Sequence, residues 1–431
     1  MKKCLVIGGG IAGLSAATYL IKNNFQVELI EASPKLGGRA YSFSDKVTNI
    51  TLDNGQHILM GCYDETLKFL KMIGSYNQLK LHKYLDVSFI DEQQAEYNLK
   101  ANLFFYPLNI LSALLKYSAL SLDERIRVIL FAIKLFFTNP DSIKEENIKQ
   151  WLFKNLQTEK INKALWEIIA VGALNSSLDK SSPKIFASIL KKIFFSGNFS
   201  STIVLPKVGL SELFCVPTEI FFDETNNKIV YSEKLMEVSI ENERVIKVQT
   251  SKREITDFDY LILAVPFFGI EKIVGLPVDL YSVGKGLSYS SIVGCHIFIK
   301  DFQLEKDFYA LLNSTVHWVF NHKSHLTIVI SDSDYLISKS NEEIKRIIFT
   351  ELQKYLGLEE LNILSSKIIK EKRATFIPDQ KSIKVRPSVK TSVSNLLLAG
   401  DWIQTELPAT IESAVLSGRL AAETIVIEDE N

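Results

Sequence analysis

The sequence predicts an α/β fold in which a parallel-sheet domain is interleaved with an α+β domain that carries a helical insertion. Three observations support this prediction. A strand, a helix and a second strand follow one another within residues 3–31, strand signals return at residues 395–399 beside the last helix, and helical periodicity dominates residues 103–200. At roughly 150 residues per domain, the 431-residue chain has room for two or three domains.

The N-terminal unit has the pattern of a nucleotide-binding turn. Residues 3–8 form a continuous apolar run, typical of a buried parallel strand, and apolar residues at helical spacing follow in residues 13–24. Between them lies the turn formed by Gly8, Gly9, Gly10, Ile11, Ala12 and Gly13. Its G-x-G-x-x-G spacing allows a sharp backbone turn and lets a diphosphate approach the N-terminus of the helix. The sequence therefore predicts a Rossmann-like dinucleotide site.

A carboxylate follows at the end of the second predicted strand. Residues 25–30 lead into Glu31 and Ala32. In a dinucleotide site, a carboxylate at this position accepts hydrogen bonds from the ribose hydroxyls of an adenosine. The alternative interpretation is a solvated strand end.

Two further segments complete a cofactor motif. They are Gly37-Gly38-Arg39 after the second strand, and Gly400-Asp401 followed by Ala409, Thr410 and Ile411 before the last helix. Both resemble motifs of GR2-type flavoproteins, the amine-oxidase and phytoene-desaturase group, and the resemblance implies FAD as the cofactor. Arg39 is then expected to supply a cation to the diphosphate, the alternative being a surface arginine. Asp401 is expected near the ribityl and diphosphate groups, and the last helix at the pyrimidine side of the flavin.

Two internal segments are also expected at the cofactor. In related flavoproteins, the segment that matches Gly55, Gln56 and His57 runs beside the isoalloxazine ring. Val238 is expected to contact the adenine through its backbone, and an ordinary core valine is an equally good interpretation.

The order of these segments predicts two discontinuous domains. We expect residues 1–75, 204–275 and 385–431 to form the FAD-binding domain, and residues 76–203 and 276–384 to form the substrate-binding domain, with its helical part at about 103–200. Helical character is expected from residue 67 to residue 199, strands at 204–263 and 280–335, and helices at 342–356 and 411–425.

A closer resemblance begins at Asp53-Asn54-Gly55-Gln56-His57. This segment and residues 61–67 are similar to the squalene-associated FAD-dependent desaturases, which are hydroxysqualene dehydroxylases. Further stretches agree in order at residues 166–167, 173–175, 205–206, 371–376 and 407–415, although Ser413 replaces an expected glycine. The resemblance implies reduction of an allylic C–OH to C–H in squalene and hopanoid biosynthesis, with an apolar C30 isoprenoid as substrate and squalene-synthase-like transferases as neighbours in the pathway.

Three other functions share parts of this pattern. A carotenoid desaturase uses the same fold to remove hydrogen, and a flavin amine oxidase needs an aromatic cage for a neutral amine. The third is a flavin-binding carrier without turnover. For a dehydroxylase we predict His57 as the acid that protonates the departing hydroxyl, because imidazole titrates near neutral pH. A histidine that only donates hydrogen bonds is the alternative. Asp53 and Glu406 are weaker candidates for this acid, because a turn cap is the better interpretation of Asp53 and a surface charge the better interpretation of Glu406.

Composition restricts partners and location. Lys and Arg number 49 against 50 Asp and Glu, which gives no overall attraction for nucleic acid. The four cysteines form no CxxC pair, so we expect no zinc site or disulfide, and a cytoplasmic location. Residues 103–137 are rich in Leu, Ile and Phe with Lys and Arg interspersed. They are interpreted either as a helical pair on the cytoplasmic face of the inner membrane or as an ordinary buried pair.

Overall fold

A computed structural model describes residues 1–46, 48–103, 105–300, 302, 304–358 and 363–430. The strands in these ranges are, in chain order, β1 (Lys3–Ile7), β2 (Gln26–Ile30), β3 (Ser42–Ser44), β4 (Thr51–Asp53), β5 (Leu59–Met60), β6 (Leu79–Leu81), β7 (Asp86–Ile90), β8 (Glu96–Lys100), β9 (Ile203–Pro206), β10 (Lys228–Val230), β11 (Leu235–Glu241), β12 (Arg244–Thr250), β13 (Glu254–Ile255), β14 (Tyr260–Leu263), β15 (Tyr289–Ile299), β16 (Phe308–Leu311), β17 (Trp318–Asn321), β18 (Leu326–Ile330), β19 (Ile363–Phe376) and β20 (Leu396–Leu398).

The α-helices in the same ranges are α1 (Ile11–Lys22), α2 (Asp64–Met72), α3 (Leu108–Lys116), α4 (Leu122–Phe137), α5 (Ile148–Lys154), α6 (Glu159–Ile161), α7 (Glu167–Leu174), α8 (Pro183–Phe194), α9 (Val216–Glu224), α10 (Phe267–Ile270), α11 (Val278–Gly286), α12 (Asp334–Ile337), α13 (Asn341–Leu356), α14 (Gln380–Val385) and α15 (Ile411–Glu430). Turns of π-helix at Asn162–Trp166 and Ser211–Cys215 lead into α7 and α9. No helix in the described ranges is long and apolar enough to cross a membrane.

A parallel sheet joins distant parts of the chain. The described strands run in the order β10-β2-β1-β14-β20 and all pair in parallel. The chain continues from β1 to one neighbour through α1, whereas the other neighbour, β14, comes more than 200 residues later. In such a sheet, ligands bind where the strand order reverses, outside the carboxyl ends of the strands. The turn after β1 lies at this point.

A second, mixed sheet forms the other large layer. Its described strands run in the order β19-β15-β18-β17-β16-β7-β8, and the long strands β15 and β19 pair antiparallel. Their register shifts where Ser290 faces Thr375 and Ile292 faces Glu371, so β19 bulges by two residues there. Bulges redirect side chains and are frequent beside active sites. Glu371, Ala374 and Thr375, at this bulge, line the cavity described below.

In the described part of residues 103–200 the regular elements are helices, but the prediction of helical character from residue 67 is wrong beyond α2. β6, β7 and β8 lie within residues 67–102. β7 forms a hairpin with the adjacent β8 and also pairs with β16, whereas β6 pairs with β9. The partners β16 and β9 lie more than 100 residues away, and local periodicity does not predict such pairings. The expectation of strands throughout 204–263 is also wrong at α9, whose Phe221 and Phe222 pack into the core.

Segments from both predicted groups of ranges meet in these sheets. β1 and β2 come from residues 1–75, β10 and β14 from 204–275, and β20 from 385–431, and all five strands join the parallel sheet. The mixed sheet draws its strands from residues 76–203 and 276–384. The domain division itself stays a prediction.

Candidate flavin and substrate site

The turn after β1 is closed by glycines. Gly8 has φ +112°, a conformation that favours glycine, and a Cβ there would come within 2.6 Å of the Ala264 carbonyl oxygen. A Cβ on Gly13 would overlap the carbonyl oxygen of Gly8. Gly10 is the N-cap of α1, and no side chain caps that helix. The N-terminus of α1 is therefore open to an anionic ligand.

Glu31 is positioned by backbone amides at the end of β2. Its carboxylate accepts hydrogen bonds from the amide of Gly9 at 2.6 Å and from the amide of Ser33 at 2.7 Å. Glu31 and Ala32 line the same cavity as Gly8 and Gly10. This places a fixed negative charge where the sequence predicts adenosine hydroxyls.

Arg39 joins the two cofactor motifs. One guanidinium nitrogen donates to Asp401 at 2.6 Å, and the other donates to the carbonyl oxygen of Ala374 at 2.8 Å. Burial lowers the pKa of Arg39, but the neighbouring Asp401 carboxylate outweighs this effect, so the pKa is raised and the group stays charged. Residues 362 positions apart thus meet at one ion pair beside the cavity.

The last helix packs directly on the first. A Cβ on Gly418 of α15 would collide with the backbone of Ala12 and Ala16 in α1. The Ser15 hydroxyl donates to the Val415 carbonyl oxygen at 2.8 Å. This contact brings the N-terminus of α15 to the cavity, which Thr410 and Ile411 line. The two helix N-termini therefore face one space, each carrying partial positive charge.

The loop before α15 is held by residues for which the sequence analysis predicted no role. Arg386 is buried and donates to the carbonyl oxygens of Leu407 at 2.8 Å and Asp401 at 3.3 Å. Burial lowers its pKa to about 10, which leaves it charged at neutral pH. Ser413, which replaces the expected glycine, donates to the Asp401 carbonyl oxygen at 3.2 Å. The substitution therefore adds a hydrogen bond to this loop.

These elements enclose a cavity of about 830 Å³. Apart from Gly9, Gly13 and Val238, all of the predicted cofactor residues line it. Gly9 and Gly13 act through the shape of the turn, as described above. Val238 requires a correction, because its amide already donates to the Val274 carbonyl oxygen at 2.9 Å and its side chain is buried in the core. Lys234 and Leu235, just before it, line the cavity instead.

The residues fit FAD. A Cβ added to Gly10 would have only the Cα of Gly38 nearby, at 3.9 Å, and a Cβ added to Gly55 would have no neighbouring atom within 4 Å. The backbone is therefore open to a ligand at both positions. The N-termini of α1 and α15, Arg39 and the Glu31 carboxylate supply the charges that a diphosphate, a flavin and an adenosine require. We call this part the cofactor compartment.

The rest of the cavity is apolar, and we call it the apolar compartment. Its walls come from the mixed sheet and the helical insertion, and include Leu85, Phe89, Ile168, Ile193, Trp318 and Phe320. Sequence reasoning identified none of these residues individually, because they come from separate elements of both layers. Such a lining binds an apolar ligand through the area removed from water.

A polar pair interrupts the apolar lining. The Asn175 amide donates to the Thr375 hydroxyl oxygen at 3.0 Å, and its own oxygen accepts from the Asp332 amide at 2.9 Å. Asn175 ends α7 with φ 49°, a conformation that asparagine tolerates, and its carbonyl oxygen accepts from Ser290 at 2.6 Å. The Thr375 hydroxyl therefore keeps a proton to donate into the cavity. Both residues lie in stretches that carried the resemblance, which was the available signal.

His57 lines the cavity, but its charge state differs from the prediction. Burial, and secondarily the nearby Arg39 cation, lower the pKa of His57 to about 4. The imidazole is therefore neutral at pH 7, and the premise that it titrates near neutral pH is corrected. Asp53 lies outside the lining and accepts from Ser42 and from the Leu210 amide, as a structural cap does.

A buried charge pair lies at the edge of the cavity and was missed by sequence reasoning. Glu412 accepts from the Thr66 amide at 2.9 Å, the Thr66 hydroxyl at 2.8 Å and the Lys192 ammonium at 3.1 Å. These contacts connect α15, α2 and α8. Within the described residues there is no cluster of histidine, cysteine and carboxylate groups suited to a metal ion.

A glycine turn, a carboxylate at the end of β2 and a second motif close to α15 all face one cavity, and this arrangement defines an FAD-dependent oxidoreductase. Comparison with known proteins agrees. The sequence pattern of the family described as flavin containing amine oxidoreductases matches residues 11–426, and the chain belongs to this family. FAD as cofactor, the fold and the oxidoreductase class are thus confirmed.

Among individual relatives, two hydroxysqualene dehydroxylases are similar to the chain over nearly its whole length. The chain is 24% identical to a hydroxysqualene dehydroxylase of Zymomonas mobilis, over 97% of each chain. It is 26% identical to a hydroxysqualene dehydroxylase of Rhodopseudomonas palustris, over 98% of this chain and 97% of the relative. Among solved structures, an oxidoreductase from Methanosarcina mazei matches with a TM-score of 0.78 and 16% identity, over 98% of this chain and all of the other.

Proposed function

We propose that the protein reduces hydroxysqualene to squalene, replacing an allylic hydroxyl by hydrogen with loss of water. The observation that carries this proposal is the apolar compartment, which opens into the cofactor compartment and contains the polar pair Asn175 and Thr375. Relatives named hydroxysqualene dehydroxylases, similar over nearly the whole chain, support it.

The chain's residues have three tasks in this reaction. When bound, reduced FAD supplies the hydride that replaces the hydroxyl. The apolar walls hold the hydrocarbon and exclude water, which shelters positive charge on the allylic carbon. Thr375 and Asn175 orient the hydroxyl, because a buried hydroxyl without a partner is costly. The proton that leaves with the hydroxyl as water would also be carried by neutral reduced flavin, which balances the reaction. His57 faces the same cavity and is neutral at pH 7, so its proposed role is that of a hydrogen-bonding partner of the departing oxygen.

The substrate class also bears on location. A C30 hydrocarbon partitions into lipid, so peripheral contact with a membrane surface, at the cytoplasmic face of the inner membrane, belongs to this proposal. Squalene-synthase-like transferases are the expected neighbours, because their products have this chemistry.

Anaerobic single-turnover experiments test the reaction. Photoreduced protein is mixed with hydroxysqualene, and we expect oxidised-flavin absorbance to return with one squalene formed per flavin. Bleaching of the oxidised protein by phytoene would instead identify a desaturase. Peroxide released on addition of amines in air would identify an amine oxidase. A flavin that none of these substrates oxidises or reduces would overturn the proposal in favour of a carrier.

A further inference from the structure

Helix α4 is apolar on two opposite sides. Its inner side buries Val128, Phe131 and Leu135. Its outer side exposes Leu122, Ile126, Leu130, Ile133 and Phe137, spaced three or four residues apart. Leu130 is 60% exposed and Phe137 is 80% exposed. A helix that only packs on a protein core has a polar outer face, so the second stripe needs another explanation.

Neighbouring elements extend this stripe. α3 exposes Leu108, Leu111 and Leu115. Arg125 ties it to the start of α4 by donating to the Leu115 carbonyl oxygen at 2.9 Å. Beyond α4, Phe153 and Leu156 are exposed beside Gln157, which donates to the Arg127 carbonyl oxygen at 3.2 Å. We call these exposed residues of α3 and α4, with Phe153 and Leu156, the outer apolar face. Contiguous apolar surfaces of this kind mark interaction sites.

The face is set in a positively charged region of a nearly neutral chain. Residues 103–200 contain 13 Lys and Arg against 8 Asp and Glu, a net charge of +5. Because the whole chain has −1, the remaining residues carry −6. Exposed Lys116 and Lys134 belong to α3 and α4 themselves, whereas Lys154 of α5 is ion-paired with Glu145. Apolar side chains next to cations match the interface of an anionic bilayer.

The outer apolar face also adjoins the cavity. The Phe136 ring contacts the Phe195 ring, with centroids 5.4 Å apart. Lys191 of α8 donates to the Phe136 and Thr138 carbonyl oxygens at 3.1 and 2.8 Å. The neighbouring residues Ile193 and Phe194 line the apolar compartment. One end of α8 therefore separates the exposed face from the cavity.

We propose that the outer apolar face docks on an anionic lipid bilayer and that apolar substrate passes from the lipid into the cavity beside Phe194 and Phe195. Docking follows from the surface alone, whereas the substrate route rests on the proposed function. A second copy of the chain is the competing occupant. A two-fold dimer through this face would bring two segments of +5 together, and like charges disfavour that arrangement.

Co-sedimentation of the FAD-loaded protein with vesicles tests docking. The test variant is Leu130→Glu with Phe137→Glu. The control is Val278→Glu with Leu364→Glu, whose side chains are 85% and 68% exposed elsewhere on the surface. We expect wild type and control to bind mixed phosphatidylglycerol–phosphatidylcholine vesicles at low salt, with weaker binding at high salt. The test variant should bind at least about tenfold more weakly.

Two results would overturn the docking proposal. One is wild-type protein that stays in the supernatant with these vesicles. The other is a wild-type dimer, seen by sedimentation velocity, that the test variant converts to monomer, because the face would then bind a second copy.

Turnover separates this inference from the proposed function. With detergent-dispersed hydroxysqualene, the test variant should match wild type, since neither changed residue lines the cavity. With vesicle-embedded substrate it should be slower by the same factor as its binding. Equal rates on vesicles would overturn the substrate route. Absence of turnover in every protein, with vesicle binding intact, would instead overturn only the proposed function.

Discussion

The ion pair between Arg39 and Asp401 provides the sharpest test of the cofactor compartment. The perturbation is Arg39→Lys, which keeps the charge but removes the planar fork that serves Asp401 and the Ala374 carbonyl oxygen together. A guanidinium has five donors, so three remain to face a diphosphate, whereas an ammonium has three in all. With two committed, lysine retains at most one donor for the cofactor.

The expected loss is one to two charge-assisted hydrogen bonds to FAD. Because the Arg39 side chain is 34% exposed, we take the low end of the range for hydrogen bonds to charged groups, about 1.5 kcal/mol for each bond. The loss in binding free energy is then about 1.5–3 kcal/mol. Since 1.4 kcal/mol corresponds to a factor of ten, Kd for FAD should rise roughly 10- to 100-fold. Titrating apoprotein into FAD and following flavin fluorescence measures this Kd.

Arg419→Lys is the matched control for this variant. Arg419 also bridges two carboxylates, Glu65 and Glu423, but lies outside the cavity lining. The control should keep the wild-type Kd. A folded Arg39→Lys protein that binds FAD as tightly as wild type would refute the assignment of Arg39 to the cofactor.

Three further predictions concern single residues. Thr375→Val should slow hydroxysqualene turnover by about tenfold without changing the Kd for FAD, because the variant loses one hydrogen bond to the substrate, about 1–1.5 kcal/mol. Thr375→Ser should behave as wild type. Equal rates for the two variants would show that Thr375 does not bind the substrate. His57→Gln should keep most activity across pH 5–9, because a pKa of about 4 leaves the wild-type imidazole neutral in that range; an inflection of the wild-type rate near neutral pH that this variant lacks would instead identify His57 as the acid. His317 accepts from the Ser331 amide at 3.0 Å, and burial lowers its pKa to about 4. Between pH 6.5 and 4 the unfolded chain binds a proton at this residue and the folded chain does not, so the free energy of unfolding decreases as the pH falls. At pH 5 this residue alone should account for a decrease of about 2 kcal/mol. In urea titrations, His317→Asn should lose less stability than wild type between pH 7.5 and 5. Equal losses would contradict the lowered pKa of His317.

Local sequence was sufficient for the first part of the site. The glycine turn and Glu31 lie within one strand-helix-strand unit, where each residue type follows from the backbone it must form. A capping box of Ser121 and Glu124 marks the start of α4, within the segment predicted to be helical. α13 extends the predicted helix by one residue, with Gly357 in the left-handed region at its end.

The remaining parts of the fold and of the site depend on contacts between residues far apart in the sequence, which local patterns do not predict. β7 forms a hairpin with the adjacent β8, but its place in the mixed sheet depends on β16, a partner more than 200 residues away. The Asn175–Thr375 pair spans 200 residues and requires a bulge in β19 that no local pattern announces. Resemblance predicted in general terms that Arg39 and Asp401 lie near the same diphosphate, but the hydrogen bond from Arg39 to the Ala374 carbonyl oxygen is defined only by the folded chain. The charge of His57 depends on burial, which only the packed chain defines.

The packing of α15 on α1 has a consequence for biosynthesis. α1 is synthesised long before its opposite wall, because 400 residues separate Ser15 of α1 from Val415 of α15. An emerging polypeptide can therefore complete its β1-α1-β2 unit early but cannot enclose FAD until Gly400, Asp401 and α15 have been synthesised. Cofactor capture then has to wait for α15, and chains that stop before this helix should be left as colourless substrates for proteolysis.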